Sequence, residues 1–444
     1  LLQALLAGEL CYVLAPRQIG KSSLQARARQ RLRQRGVACA SIDLTQLGSY
    51  DLGPEGWCRG LVQELADGFA LGDPEPFWRQ HQGLLPLHRF SRYLHEQVIP
   101  GLRTASAVVF IDEVEAVLGL PPYARDDFFA SIRAFYNARA DDPACARLTF
   151  CLCGVATAME LMRDAARTPF NIGREITLRD FSRREAEAFL PALAGLPDAA
   201  AWLDAVYAWT SGHPYMTQRL CAALQHCEPG QDPQQTVAAL VDEHFLRRGR
   251  SQDANLAYAE RRFFAPDQPR SQSNQMLQIY GALLRQEKLP QRGRDAVQEA
   301  LRLTGMTAER EEGGQILLCV RNRVFAAVFG AAWVGEREGE CYFGEALGAW
   351  QRGQRRADYL LRGAALQQAL AWAEGRHDLS DEEHRFLRAS QVAEQAAEKR
   401  RRRGLTVLGA LVVVIAVLLG RAFWETRRFR QQDQWSYRGF RAAS

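Results

Sequence analysis

The chain has 444 residues, enough for two to four domains, and its 47% hydrophobic content leaves ample material for buried cores. Its net charge of +5 is modest for that length and gives no bulk reason to invoke nucleic acid. Its ten cysteines show no paired CxxC spacing, so buried, reduced thiols are expected rather than disulfides or zinc.

The first residue is Leu1 and a strand follows almost at once, so a further piece is expected ahead of this N-terminus. Cys11-Tyr12-Val13-Leu14 predicts a buried strand, and Leu24 to Arg35 a helix with Leu24 and Leu32 inward. Between them lies Ala15-Pro16-Arg17-Gln18-Ile19-Gly20-Lys21-Ser22-Ser23. Strand, small-residue turn, Lys-Ser and helix is the layout of a phosphate-binding loop. Backbone N–H groups of Ala15 to Ser23 would wrap a triphosphate at the positive end of the following helix. Lys21 would neutralise the terminal phosphates and the Ser22 hydroxyl would hold Mg²⁺. Alanine stands where the first glycine is usual, a small enough change to keep the backbone close to a phosphate. Taken alone, the match is also compatible with an ordinary loop.

Val37 to Leu44 predicts a second buried strand, and Trp57–Leu71 and Phe90–Val98 carry helical spacing. Ala107-Val108-Val109-Phe110-Ile111 then ends abruptly in Asp112-Glu113. Such a run predicts a central parallel strand whose carboxylates emerge at its C-terminal edge, where ligands of open α/β sheets sit. Asp112 would bind Mg²⁺ through water and Glu113 would polarise an attacking water, giving Glu113, Asp112 and Lys21 as catalytic candidates. Asp126–Asn137 is an amphipathic helix, and Leu148–Cys153 is a further strand with Cys151 and Cys153 on one face. Gly154, Thr157, Arg163 and Arg167 are candidates for sensing a γ-phosphate, and spacing does not choose among them. Ile176-Thr177-Leu178 predicts a short strand before the Ser182-Arg183-Arg184-Glu185 capping box.

Ser182 to about Arg247 predicts helices only, interrupted by Thr210-Ser211-Gly212-His213-Pro214-Tyr215. On the residues alone this is an inter-helix turn; as a lid contact it would bring His213 or Pro214 near a nucleotide. Ser251–Asn274 is expected to be a polar separator. Helices at Met276–Leu284 and Asp295–Leu303 and a hairpin over Thr307–Val320 predict a winged helix. With Asp295 and Glu299 on its second helix and no basic face, a packing module fits better than a DNA reader. Residues 334–398 are helical again, and Lys399-Arg400-Arg401-Arg402-Arg403 precedes the charge-free run Leu405–Gly420. Extended through Trp424, that run reaches about 30 Å as a helix, enough to span a bilayer core.

These motifs resemble the bacterial AAA-like signal-transduction ATPases of the STAND class. The resemblance rests on Ala15–Ser23, Phe110–Glu113, Asp126–Phe129, Thr168–Gly173, Gly212-His213-Pro214-Tyr215 and Val320-Arg321-Asn322-Arg323-Val324-Phe325, and covers the chain to about residue 335. It implies an α/β P-loop NTPase fold, a parallel sheet sandwiched by helices, followed by an all-α lid, winged helix, helical neck and one transmembrane helix. It assigns Gly212-His213-Pro214 to nucleotide contact, so Thr157, His213 and Pro214 join the loop as binding candidates. The expected divisions are 1–180, 181–250, 251–335, 336–403, 404–424 and a truncated tail at 425–444. The implied function is a membrane-anchored switch that binds ATP with Mg²⁺, hydrolyses it slowly and self-associates when ATP-bound. Residues 1–403 are expected in the bacterial cytoplasm, with the span at 404–424 in the plasma membrane and an unidentified sensor or effector as partner. A DNA-associated regulator and a non-hydrolysing ATP-binding scaffold are the alternatives.

Overall fold

β1 (Cys11–Leu14), β2 (Ala38–Asp43), β3 (Ala107–Asp112), β4 (Leu148–Gly154) and β5 (Arg174–Glu175) form a parallel sheet in the order β2-β3-β4-β1-β5. The runs β1 to β4 have no exposed position and pair edge to edge because no face of theirs can meet water, and a short exposed strand, β5, closes one side. β4 lies between β1 and β3, with Val13 opposite Cys153 and Val109 opposite Phe150. The loop after β1 and the carboxylates after β3 therefore emerge at one edge, on either side of the end of β4. In this computed structural model residues 1–401 are described apart from 48–52, 163, 165–166, 228–229, 248–250, 266–267, 292–294, 340–344 and 375–381; beyond 401 only Ile415, Leu418, Leu419, Arg421 and Trp424 are.

The two sheet faces carry different cores. On one, Val109, Ile111, Phe150 and Leu152 meet Trp57 and Phe128; on the other, Val108, Phe110, Cys151 and Cys153 meet Ala28 and Leu32. Cys151 and Cys153 do share a face, with their Sγ atoms 3.8 Å apart. The helix Pro122–Asn137 buries Phe128, Phe129, Ile132 and Phe135, each burial contributing roughly 1.5–3 kcal/mol. The strand expected at Ile176-Thr177-Leu178 is corrected to Arg174–Glu175. Ile176 still donates to the Tyr12 carbonyl at 2.9 Å, but Ile176 and Leu178 owe their apolar character to packing on the core, not to a ladder.

The described residues of 182–247 are helices joined by turns, and the Ser182/Glu185 capping box is present in both directions. Helices Ala199–Thr210 and Pro214–Leu224 meet at the Gly-His-Pro turn, with Pro214 at the first helical position. Gly212 has φ +78°, and a β-carbon there would lie 1.9 Å from the Phe181 carbonyl oxygen. The turn thus needs glycine for packing against Phe181, whose N–H donates to the Gly212 carbonyl at 2.9 Å.

The polar separator expected at Ser251–Asn274 is also corrected, because it contains the helix Ala254–Phe263. Leu256, Ala259 and Phe263 form its narrow buried stripe, and the Asp253 carboxylate caps it by accepting from Asn255 and Leu256 N–H. The helices Arg270–Leu284 and Ala296–Leu303 follow, with Asp295 used as a cap. β6 (Leu289–Pro290), β7 (Thr307–Glu312) and β8 (Gln315–Val320) make an antiparallel sheet in the order β6-β8-β7. Gly313 (φ +57°) and Gly314 (φ +78°) supply the two left-handed residues of its tight hairpin turn.

Leu1–Gly335 forms one unit and Glu336–Ser444 a second. In the second, Trp350 packs on Phe386 with ring centroids 5.4 Å apart, joining the helix Glu345–Arg352 to a helix over 382–401. The expected membrane helix at 404–424 (those five residues apart), the tail at 425–444 and Arg163 lie outside the described residues. Among the described residues, no helix is long and apolar enough to cross a membrane.

Gly212→Ala forces both a left-handed alanine and a collision with backbone. The variant is expected to unfold at lower denaturant, by about 2–4 kcal/mol, and a change under about 0.5 kcal/mol would show that the turn tolerates a side chain.

Candidate functional site

Residues 15–23 leave β1 at the sheet's C-terminal edge, where Ala15 N–H donates to the Gly154 carbonyl at 3.1 Å. Ala15, Pro16 and Ile19 are buried, whereas Arg17, Gln18, Ser22 and Ser23 are exposed. Gln18 (φ +60°) and Gly20 (φ +99°) are left-handed, which curls the backbone before a helix running from Lys21 to Arg33. A curled loop at a helix N-terminus is a concavity suited to an anion. Lys21 is buried, and its ammonium donates to the Ala15 and Pro16 carbonyls at 2.9 Å each. Burial lowers its pKa, and the carboxylates of Glu115, Glu113 and Asp112 oppose that shift.

Asp112 ends β3, and its carboxylate accepts the Glu113 N–H at 3.0 Å. Burial raises its pKa. Beside it, the buried Gln25 side chain faces the Asp112 carboxylate and, after the Glu113 N–H, partly offsets that rise. Glu113 is left-handed (φ +52°, ψ +47°), and its pKa is pushed up to about 7, by burial first and the neighbouring Glu115 second. A carboxyl titrating there is matched to proton transfer near neutrality. Glu115 in turn accepts the Val155 N–H at 2.9 Å, and a β-carbon on Gly154 would meet its Oε2 at 2.3 Å.

Thr157 and Glu160 cap each other's backbone N–H groups at the start of a short helix. Arg167 pairs at 2.9 Å with Asp127, on the helix Pro122–Asn137. His213 is completely buried: it caps the helix Pro214–Leu224, its ring faces Phe325 at 6.1 Å, and burial together with Arg321 holds its pKa well below the ordinary value. The contacts of His213 thus run to the hairpin side of the lid and not to residues 15–23.

The spacing pattern missed several residues at this edge. Tyr258 receives the Arg17 guanidinium 4.7 Å from its ring centroid, while Arg17 also lies 4.0 Å from Glu113. Arg262 pairs with Glu160 of the Thr157 cap at 2.5 Å. Both come from the helix inside the supposed separator. Arg321 pairs at 3.2 Å with Asp180, and Asn322 donates to the Thr210 carbonyl at 3.1 Å. Arg321 and Asn322 therefore bind the hairpin to the turn after β5 and to the lid.

The AAA-like domain family matches residues 3–246, more than half of the chain. The chain belongs to the AAA-like domain family. An uncharacterized WD repeat-containing protein of Synechocystis sp. is 38% identical over 418 residues, covering 89% of this chain and 34% of its own length. This AAA-like chain thus spans about a third of that relative. It is also similar to the Walker-type ATPase of Pyrococcus abyssi (16% identity, 73% of this chain and 92% of that one, TM-score 0.46). The ORC2 protein of Aeropyrum pernix in ADPNP–ADP complexes resembles it at 13% identity over 76% and 92%, with a TM-score of 0.43.

Between pH 4.5, the ordinary glutamate value, and about 7, the folded chain holds a proton on Glu113 that the unfolded chain has released. This group's contribution to stability therefore falls as pH rises through that window. Glu113→Gln should gain stability relative to wild type across the same window, followed by unfolding midpoints at several pH values. A difference that does not change with pH would show that Glu113 is not held protonated.

Proposed function

We infer that this AAA-like chain is a nucleotide-controlled molecular switch of the STAND type, binding ATP with Mg²⁺ and hydrolysing it slowly. The observation that carries this reading is the convergence of three parts on the loop edge: the buried Lys21, the Asp112–Glu113–Glu115 turn, and Tyr258 and Arg262 from the C-terminal side. The curled loop and the helix N-terminus fit a polyphosphate. In the bound state Lys21 would turn from the loop carbonyls to phosphate oxygens. Ser22 and Asp112 would hold Mg²⁺ between them, directly and through water. The metal supplies charge neutralisation at the transferred phosphoryl group. Glu113, with its raised pKa, would accept a proton from the attacking water, and Thr157 follows the end of the neighbouring β4.

The switch reading rests on how the edge is wired outward. Tyr258 and Arg262 share a helix whose cap, Asp253, accepts from Tyr215 (2.8 Å) and Arg219 (2.5 Å) of the helix that follows Gly-His-Pro. The same helix meets Trp333, whose indole N–H donates to Glu260 at 3.1 Å. A nucleotide that moves Arg17 would shift the contacts of a helix tied to both the lid and the C-terminal end of the unit. We read helices 270–284 and 296–303 with their three-stranded sheet as a winged helix used for packing, since Glu299 and the Asp295 cap occupy its second helix. Self-association in the ATP state, a membrane span at 404–424 with the preceding residues cytoplasmic, and a sensor or effector such as the WD repeats in the relative's name complete the proposal.

Lys21→Ala should remove binding of a fluorescent ATP analogue to the full chain, while Glu113→Gln should keep binding and lower turnover by roughly 10²-fold or more. Unchanged affinity in Lys21→Ala would overturn the site. Unchanged turnover in Glu113→Gln would leave a binding scaffold as the better description. Sedimentation with ATP and with ADP reads the switch, and identical profiles would argue against nucleotide-controlled association.

A further inference from the structure

The opposite edge of the sheet holds a second cluster that the nucleotide reading does not use. His95 lies on a five-residue π-helical turn, Leu94–Val98, a local distortion common at functional positions. Asp142 and Cys145 lie in the turn that leads into β4. Cys145 is fully buried, His95 half-buried and Asp142 exposed. One nitrogen, one oxygen and one sulfur atom from these three side chains lie within 4.8 Å of one another. Because the sheet is parallel, this is the N-terminal edge of β3 and β4, away from Lys21 and Asp112 at their C-terminal edge.

We propose that His95, Asp142 and Cys145 form a binding site for a divalent cation of the Zn²⁺ class, with solvent at the fourth position. The distances fit that use. Two ligands bound tetrahedrally to zinc, one thiolate sulfur and one nitrogen or oxygen, stand about 3.6 Å apart. The Cys145 sulfur lies 3.5 Å from His95 Nδ1 and 3.6 Å from Asp142 Oδ2. The donor set, one thiolate, one imidazole and one carboxylate, is a borderline-soft set that suits zinc better than magnesium. The carboxylate is oriented in advance: Asp142 Oδ1 accepts the Ala144 N–H at 2.9 Å, which turns Oδ2 toward the sulfur. His95 is positioned by its ring contact with Phe135 at 4.9 Å. Arg139, held by the Gly8 and Leu148 carbonyls, lies beside this turn. Burial and the neighbouring Asp142 keep the free Cys145 thiol above its ordinary pKa, so the ion itself has to displace the proton. On binding, the Cys145 thiol releases its proton to solvent and the imidazole coordinates neutral through Nδ1. Asp142's exposure leaves a route for the ion and a place for a bound water. The bound ion would pin the turn before β4 to the helical turn ahead of β3, where Arg147 already donates to the Ile99, Leu102 and Thr104 carbonyls.

The test uses the full chain, stripped with a chelator and titrated with Co²⁺, whose thiolate charge-transfer absorption reports a sulfur ligand. One equivalent should produce that band and Zn²⁺ should displace it. Cys145→Ser should abolish it, and Asp142→Asn, a change at an exposed position, should weaken Co²⁺ binding by roughly tenfold or more. Lys21→Ala should leave the band intact, which separates this site from the nucleotide site. No stoichiometric band in the folded wild type would mean that the three groups form only a hydrogen-bonded chain, and would overturn the proposal. So would a band that survives Cys145→Ser, which would place the sulfur ligand elsewhere.

Discussion

A lysine ammonium held out of water at the end of a parallel sheet governs the architecture around it. Burying such a charge without partners costs several kcal/mol, so the surroundings have to supply them. Two carbonyls, of Ala15 and Pro16, do so directly. For one side chain to reach both, the loop must turn back on itself, and the left-handed Gln18 and Gly20 make that turn. Three carboxylates, Glu115, Glu113 and Asp112, raise the lysine's proton affinity from the other side. The carbonyl bonds are local and exchangeable. An incoming phosphate would offer the ammonium better acceptors without moving the strand or the helix that hold it.

The layers C-terminal to the sheet are attached through polar contacts at a few points. Asp180 and Arg321 form a buried pair at 3.2 Å, and burial raises the pKa of Asp180 even with Arg321 beside it. Such a pair contributes little net stability but is costly to break on one side, which favours one docking arrangement over others. Asp253 caps its helix with one oxygen and accepts from Tyr215 and Arg219 with the other. Arg17 is shared between Glu113 and the Tyr258 ring. Contacts of this kind specify position while leaving a modest barrier to rearrangement, the property a switch requires of its joints.

How far the sequence reveals all this depends on the kind of signal each part carries. The central strands were legible because continuous burial leaves continuous apolar runs, as in Val108–Ile111 and Leu148–Cys153. The loop and the acidic strand end were legible because their chemistry is local in the chain. The edge strand was displaced by two residues because its own positions, Arg174 and Glu175, are solvent-exposed and only the flanking Ile176 and Leu178 touch the core. The helix Ala254–Phe263 was hidden because three buried apolar residues, Leu256, Ala259 and Phe263, suffice to dock it while Tyr258, Glu260 and Arg262 keep the stretch polar. Its role at the loop edge is tertiary and leaves no periodic trace. The meeting of His95 with Asp142 and Cys145 is equally non-local, and a scan for CxxC spacing passes over it.

The acidic turn shows how a motif of two carboxylates depends on a third residue outside it. Glu113 occupies a left-handed conformation that costs a non-glycine residue energy, and something must hold it there. Glu115 does so from two positions further on, by accepting the Val155 N–H at 2.9 Å across the end of β4. That bond requires the chain to pass close to β4, and the approach is possible only because residue 154 has no side chain. Gly154, singled out from the sequence as a candidate sensor of phosphate, thereby acquires a definite structural role, because it lets Glu115 dock. Burial first, and Glu115 docked beside it second, raise the pKa of Glu113 toward neutrality. The strain at Glu113, the docking of Glu115 and the missing side chain on the neighbouring strand are a single arrangement, and it sets a carboxyl of raised pKa within electrostatic reach of the buried lysine.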